Sequence, residues 1–403
     1  MNVPSRMATP LSASFDVAIV GGGPVGAALA LALAGGERRV ALIEAKTELV
    51  ARDPRAIALA QGSRLVLQRL HAWQALAPRA TAIETIHVSQ RGGFGRAELA
   101  AADCGVPALG YTVEYGDLYA ALAAGLPESG TELILGARVN AVRPAAGGGL
   151  IEYERDGTAG TLDARLIVLA DGGRSLPGLT EVKDYRQSAL IGSVRTALPH
   201  RHRAYERFTP VGPIALLPLD PPAGEAAPGG HFALVWSTDQ AEVETRLALS
   251  EAAFLDQLQQ AFGDRQGRFL AAGPRSVFPL RLALARGRDP AGLIRIGNAA
   301  QTLHPVAGQG FNLGLRDAWK LAEVILATPN ERLGDPAFVA AYRAARRWDV
   351  GGSVAMTDLL VEAFANDWPV LSQARGLALG ALDLLPPLKR LFARKMMFGA
   401  RAW

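Results

Sequence analysis

Three glycines, Gly21, Gly23 and Gly26, stand directly after the apolar run Val17-Ala18-Ile19-Val20 and directly before an Ala/Leu-rich stretch. Positions without side chains at such a junction let a phosphate reach the backbone, and the amides and dipole of the following helix favour its charge. The spacing alone is weak, but Glu44 follows roughly twenty residues on, at the end of a second apolar run, where a carboxylate accepts hydrogen bonds from an adenosine ribose. An acid there disfavours a 2′-phosphate, so the turn suits FAD or NAD better than NADP. A second glycine-rich segment, Gly297 to Asn312, decides for FAD. It carries Gly297, Asn298, His304, Pro305, Gly308, Gln309, Gly310 and Asn312, and it opens a second helical stretch whose first amides can stabilise negative charge on a reduced flavin ring. Pro305 suits a helix start and equally a wall beside a reactive ring; His304 is a candidate acid or base and equally a structural histidine.

These residues need a frame. From Phe15 the pattern reads strand, turn, helix, strand. Comparable strands recur at Leu166 to Ala170, ending in Asp171-Gly172-Gly173, and at Leu293 to Ile296, ending in Gly297-Asn298. Between Tyr185 and Phe278 alternating stretches predict a β-rich insertion. Helical spacing returns from Gln309 to about Ala327 and again from Pro336 onward, with a break at Pro386-Pro387. The 403 residues exceed what one core usually supports. The expected fold is α/β: a discontinuous FAD-binding domain at 14–80, 108–182 and 276–345, a β-rich substrate domain at 81–107 and 183–275, and a C-terminal helical segment at 346–403.

Composition removes other classes. Hydrophobic residues make up 49% and charged residues 20%, a globular balance. One cysteine, Cys104, excludes an internal disulfide, and six scattered histidines lack metal-ligand spacing, so no metal is expected. A net charge of +4 with dispersed basic residues argues against nucleic acid as a partner. Met1 to Ser14 has no apolar signal region, and no run reaches the length of a membrane span, which predicts a protein of the bacterial cytoplasm. The stretch Leu382 to Arg401 mixes leucines and methionines with Lys389, Arg390, Arg394 and Lys395; it reads either as a surface for an anionic inner membrane or as a packed helical tail with a solvated basic face. Phe208, Phe232 and Trp236 read either as pocket walls for an apolar phenol or as core.

The Gly21 turn, Asp171-Gly172-Gly173-Arg174-Ser175, and Gly297-Asn298 with His304-Pro305-x-x-Gly308-Gln309-Gly310-x-Asn312 resemble, in order, the three fingerprints of group A flavoprotein monooxygenases. Within that group Arg55-Ala56-Ile57-Ala58-Leu59, His87-Val88-Ser89-x-Arg91-Gly92, Glu206-Arg207-Phe208-Thr209 and Gly297-Asn298-Ala299-Ala300-Gln301 resemble the ubiquinone-biosynthesis hydroxylases. The resemblance spans nearly the whole chain. It implies a Rossmann-like, p-hydroxybenzoate-hydroxylase-like fold, FAD as cofactor and NAD(P)H as a visiting co-substrate. It places Asp171 and Gly172 in the loop that flavin and nicotinamide approach, Arg55 on the flavin or its phosphates, and Asn298, where most relatives have aspartate, on the ribityl chain. The implied reaction is hydroxylation of a 2-polyprenyl-6-methoxyphenol para to its hydroxyl, through a flavin C4a-hydroperoxide, on the route to ubiquinone. It also allows a biosynthetic complex as partner. A sister ring position, a soluble phenol, and a non-catalytic flavin-fold lipid scaffold are the alternatives.

Overall fold

The computed structural model describes residues 15–50, 53–175, 180–221, 228–285, 287–303, 308–364 and 369–400. The strand Phe15–Val20 is buried at all six positions. It sits between Val40–Glu44 and Thr158–Leu169, parallel to both, with Glu132–Leu135 beyond the first and Leu293–Arg295 beyond the second, also parallel. One face, through Val17, Ile19, Leu42, Leu166 and Val168, packs on the helices Pro24–Ala32 and Gln309–Leu326. The other, through Ala18, Val20, Ile43, Ile167 and Leu169, is covered by the antiparallel strands Ala137–Arg143 and Gly149–Arg155. Burial on both faces is why these strands read as unbroken apolar runs rather than alternating ones.

A second sheet is antiparallel for most of its width. Its central strand Thr180–Thr196 pairs with Ser276–Ala285 on one side and Gly230–Asp239 on the other, followed by Pro213–Leu219, Arg203–Phe208, Thr85–Gln90 and Arg96–Ala100. The helix Glu251–Phe262, capped by Ser250, which accepts from the Ala253 amide, packs beneath one face. Phe232 and Trp236 join Phe254 and Phe262 in that core, and Phe208 is buried as well. The pocket reading of Phe232 and Trp236 is therefore corrected: their rings fill the sheet's own core. A small sheet of Ala56–Ala60, Gly110–Glu114 and Thr81–Ile83 stands beside the two large ones.

The expected α/β fold with terminal helices is what the chain adopts. After Gln309–Leu326 come the helices Pro336–Phe364, Pro369–Leu384 and Pro386–Phe398. The break falls at Leu385, directly before the two prolines, as a fixed φ and a missing amide require. The last helix buries Ala393, Met397 and Phe398 against Leu99, Ala101 and Leu109. The tail is thus packed on one side, while Leu384, Leu388 and Leu391 on its other side stay exposed.

Candidate active site

All three glycine turns lie at the carboxyl ends of parallel strands, where open α/β sheets bind ligands. They also touch one another. A Cβ on Gly21, whose φ is +103°, would lie 2.7 Å from the Asp171 backbone, and one on Gly26 would lie 2.0 Å from the Gly21 carbonyl oxygen. Gly297, with φ +57°, abuts Val25, and Gly173 faces Ala299. These glycines are needed for the turns to meet at all.

Gly23, Gly172 and Gly310 differ: among the described residues, an added Cβ on any of them would meet no atom within 4 Å. They face open space beside the three turns, a glycine-edged cleft. Gly23 and Gly308 are the N-caps of the two helices entering it, and neither helix has a side-chain cap. Two unsatisfied sets of helix amides aimed into a glycine-lined cleft fit a ligand with anionic groups at two points. Glu44 stands at the cleft's edge, where its carboxylate accepts from the Gly22 amide at 2.7 Å and the Lys46 amide at 3.0 Å. Those bonds orient it and leave acceptor capacity over.

Arg55 is held by Asp53, its Nε donating at 2.8 and 2.9 Å to the two carboxylate oxygens, and this pairing lowers the Asp53 pKa and raises that of Arg55. Its guanidinium stacks 5.2 Å from the Tyr115 ring and 4.9 Å from the ring of Phe278, a residue of the second sheet. Arg55 therefore bridges the small three-stranded sheet and the antiparallel one. Asp171 accepts from the amides of Gly173 and Ser175 and from the Ser175 hydroxyl, which fixes its own loop. Asn312 is buried and fully used: it accepts from the Ala60 amide and Ser63 hydroxyl and donates to the Ala58 and Gly308 carbonyls. Gln309 is buried and donates to the Met396 carbonyl at 3.4 Å, which ties the last helix to this site. Asn298 is exposed. His304 and Pro305 lie outside the described residues. Among the described residues, no group of acids, histidines and cysteine could hold a metal.

Two features escaped sequence reasoning. Asp317 accepts from the Gly297 amide at 3.1 Å and from Gln301 Nε2 at 2.6 Å, and pairs with Arg346, which also pairs with Asp349. The signal available was a pair of adjacent charges, Arg316 and Asp317, between the apolar residues Leu315 and Ala318. The second feature is a groove across the antiparallel sheet. Directly paired residues share a face, so Ile191, Val235, Ala215, Glu206 and Val88 form one row over five strands. Every one is half-buried, on the face opposite the Phe254 core. The same face carries Phe278 toward Arg55 and Ile86 toward the last helix. Glu206 is the one charged residue of the row, and desolvation pushes its carboxyl up to about 7.

A glycine turn at a strand end, an oriented carboxylate beside it and a second helix without a side-chain cap fit a flavin-dependent oxidoreductase, and FAD is the cofactor. The family model described as an FAD binding domain matches residues 14–355. Ubiquinone hydroxylase UbiL of Rhodospirillum rubrum is 36% identical, over 95% of this chain and 89% of that protein. The 3-demethoxyubiquinol 3-hydroxylase of Escherichia coli is 32% identical, over 93% of this chain and 96% of that protein. Among solved structures, p-nitrophenol 4-monooxygenase PnpA from Pseudomonas putida superposes with a TM-score of 0.76 over 96% of this chain and 99% of that one, at 18% identity. That likeness shows the fold. The chain belongs to the FAD-binding monooxygenase family that includes these ubiquinone hydroxylases, and it is a flavin-dependent monooxygenase.

Proposed function

We propose that this enzyme hydroxylates a 2-polyprenyl-6-methoxyphenol para to its hydroxyl, giving a benzoquinol of ubiquinone biosynthesis, with NAD(P)H and O2 as co-substrates. The identity of more than 30% over nearly the full length with two ubiquinone hydroxylases supports a ubiquinone-ring hydroxylase, and the ring position rests on the family-like runs such as Gly297-Asn298-Ala299-Ala300-Gln301. The chemistry supplied by bound FAD is hydride acceptance from NAD(P)H and activation of O2 for transfer to an electron-rich ring. The protein's part is to bind and exclude. Gly21, Gly23, Gly26 and Glu44 hold the adenosine and pyrophosphate, Arg55, Asp171, Gly172, Gly297 and Asn298 border the remainder, and Gly308 to Gly310 present helix amides to the ring's polar edge. Residues 81–107 and 183–275 supply the substrate side, where the row of Ile191, Val235, Ala215 and Val88 offers an apolar bed for a phenol.

The helices Pro369–Leu384 and Pro386–Phe398 bring the enzyme to its lipid substrate by resting on an anionic membrane surface. Leu384, Leu388 and Leu391 are exposed beside Arg390, Arg394 and Lys395, and the sole acid of 369–400, Asp383, is bonded to the Glu98 amide and to Lys389. Among the described residues, no helix is long and apolar enough to cross a membrane.

Deleting the gene in its host and weighing the prenylated phenols that accumulate tests the reaction. Build-up of the 2-polyprenyl-6-methoxyphenol, reversed by complementation, is the expected result. A methoxy-free phenol or a later benzoquinol would move the enzyme to a sister position, and unchanged quinone would point to a soluble phenol.

A further inference from the structure

Glu206 stands fourth in the row of five, the one charged residue among Ile191, Val235, Ala215 and Val88. Its strand places Arg203, Tyr205 and Arg207 on the opposite face, where Arg203 meets Glu98 and Arg207 meets Ser89. On its own face the flanking positions are Ala204 and Phe208, and the cross-strand ones Ala215 and Val88. A carboxylate among such neighbours is costly unless a partner arrives. The Glu206 side chain is half-buried rather than sealed, on the face that carries the apolar row. No charged group contributes to its raised pKa, which burial alone causes. A half-buried acid among apolar neighbours, its carboxyl raised toward neutrality, is the arrangement of a general base.

We propose that Glu206 is the catalytic base that accepts the hydroxyl proton of the bound phenol. The inference rests on the aromatic-hydroxylase reading above and deepens it. As the ring carbon bonds to an oxygen atom drawn from O2, the phenolic O–H bond breaks and its proton passes to a Glu206 carboxylate oxygen. The electron pair left on the ring oxygen drives the attack and leaves a carbonyl there. The new C–OH carbon then loses its hydrogen as a proton to water, the ring pair is restored, and Glu206 returns its proton to the ring oxygen. The carboxylate is regenerated, NAD(P)H is the reductant, and the second oxygen atom of O2 leaves as water.

The test uses the full-length holoenzyme with 2-methoxy-6-methylphenol, a tail-less probe, and its methyl ether, 1,2-dimethoxy-3-methylbenzene, which has no proton to give. Binding is titrated calorimetrically from pH 5.5 to 8.5, alongside the pH profile of turnover. Phenol affinity is expected to tighten about 10-fold as pH rises through about 7, the worth of a hydrogen bond to a charged acceptor. The ether should show no such step, and Glu206→Gln should abolish it for the phenol. The Gln variant should keep its flavin and melting temperature but turn over about 100-fold more slowly, with Glu206→Asp restoring part of the rate and the pH step. A pH step that persists in Glu206→Gln, or is missing from the wild type while the phenol binds, overturns the role of Glu206 alone. A wild-type holoenzyme that binds no phenol at all overturns the aromatic-hydroxylase reading and this proposal with it.

Discussion

Asp317 meets the guanidinium of Arg346 at 2.6 Å in a site nearly closed to solvent, and the same carboxylate holds the Gly297 amide and the Gln301 side chain. One residue thus links the loop at the cleft to the helix Pro336–Phe364. Arg346 and Arg316 in turn pair with Asp349, which accepts from the Ala400 amide at the end of the last helix. The Gly297 loop and the tail share one buried network.

Removing one partner of a buried pair strands the other, and that costs more than the pair itself was worth. Arg346→Ala should therefore destabilise the enzyme by about 3–5 kcal/mol and loosen the flavin. Asp317→Asn should cost less, because it keeps an acceptor for Gly297 or Gln301 and leaves Arg346 with Asp349. Urea unfolding of each holoenzyme, read beside flavin absorbance after gel filtration, gives both quantities. An Arg346→Ala protein as stable as wild type would mean that the network is decorative.

The two kinds of glycine in the first turn predict opposite outcomes for the same substitution. Gly26→Ala drives a methyl into the Gly21 carbonyl and should impair folding itself. Gly23→Ala adds a methyl that touches no protein atom, at a φ of −61° that alanine adopts freely. Apoprotein stability should then stay within about 0.5 kcal/mol of wild type, while FAD affinity falls at least about 10-fold because the methyl occupies space meant for the pyrophosphate. Calorimetric FAD titration of the refolded apoprotein decides it; full affinity in Gly23→Ala would move the pyrophosphate elsewhere.

How legible all this is in the sequence depends on how local the cause is. Strands buried on both faces announce themselves as apolar runs, and a turn that needs Gly21 at φ +103° announces itself by that glycine. Paired charges do not. Arg346 sits beside Arg347 and reads as a basic surface cluster, yet Arg346 is buried and Arg347 exposed, because the partner that pulls Arg346 inward lies on another helix. Glu206 appears only as part of a family-like run, since its place in an apolar row is set by register across five strands. Asn312 reads as a cofactor contact, whereas its hydrogen bonds are all spent inside the protein, locking the strand Ala56–Ala60 to the helix start.

His87 gives the fold a pH dependence of definite sign. Burial, and next the Arg265 guanidinium whose Nη1 lies 2.8 Å from His87 Nε2, push its pKa from 6.5 down to about 4. The folded state therefore keeps this ring neutral where the unfolded chain would protonate it. Its contribution is fully present above about 6.5 and is lost as pH falls from there toward about 4, a span worth roughly 2–3 kcal/mol. In His87→Gln that part of the decline should vanish, leaving a flatter stability curve between pH 6.5 and 4 in chemical denaturation. An unchanged slope would assign the acid sensitivity to other groups.

The exposed leucines of the terminal helices make the membrane reading measurable. Leu384 is 80% and Leu391 67% exposed, and Leu388 lies between them on the same tip. Burying three leucyl side chains contributes a few kcal/mol, and each nearby cation adds about 1 kcal/mol at an anionic surface. Together these give weak, reversible binding. The protein should sediment with phosphatidylglycerol-rich vesicles, less with phosphatidylcholine alone, and less again as salt is raised. Leu384→Glu combined with Leu391→Glu should abolish sedimentation while leaving turnover of a tail-less phenol intact, since both side chains are largely exposed and neither belongs to the apolar row or the glycine turns. If that double variant still sediments, the helices pack against something other than lipid, and the enzyme's route to a prenylated substrate must run through a protein partner.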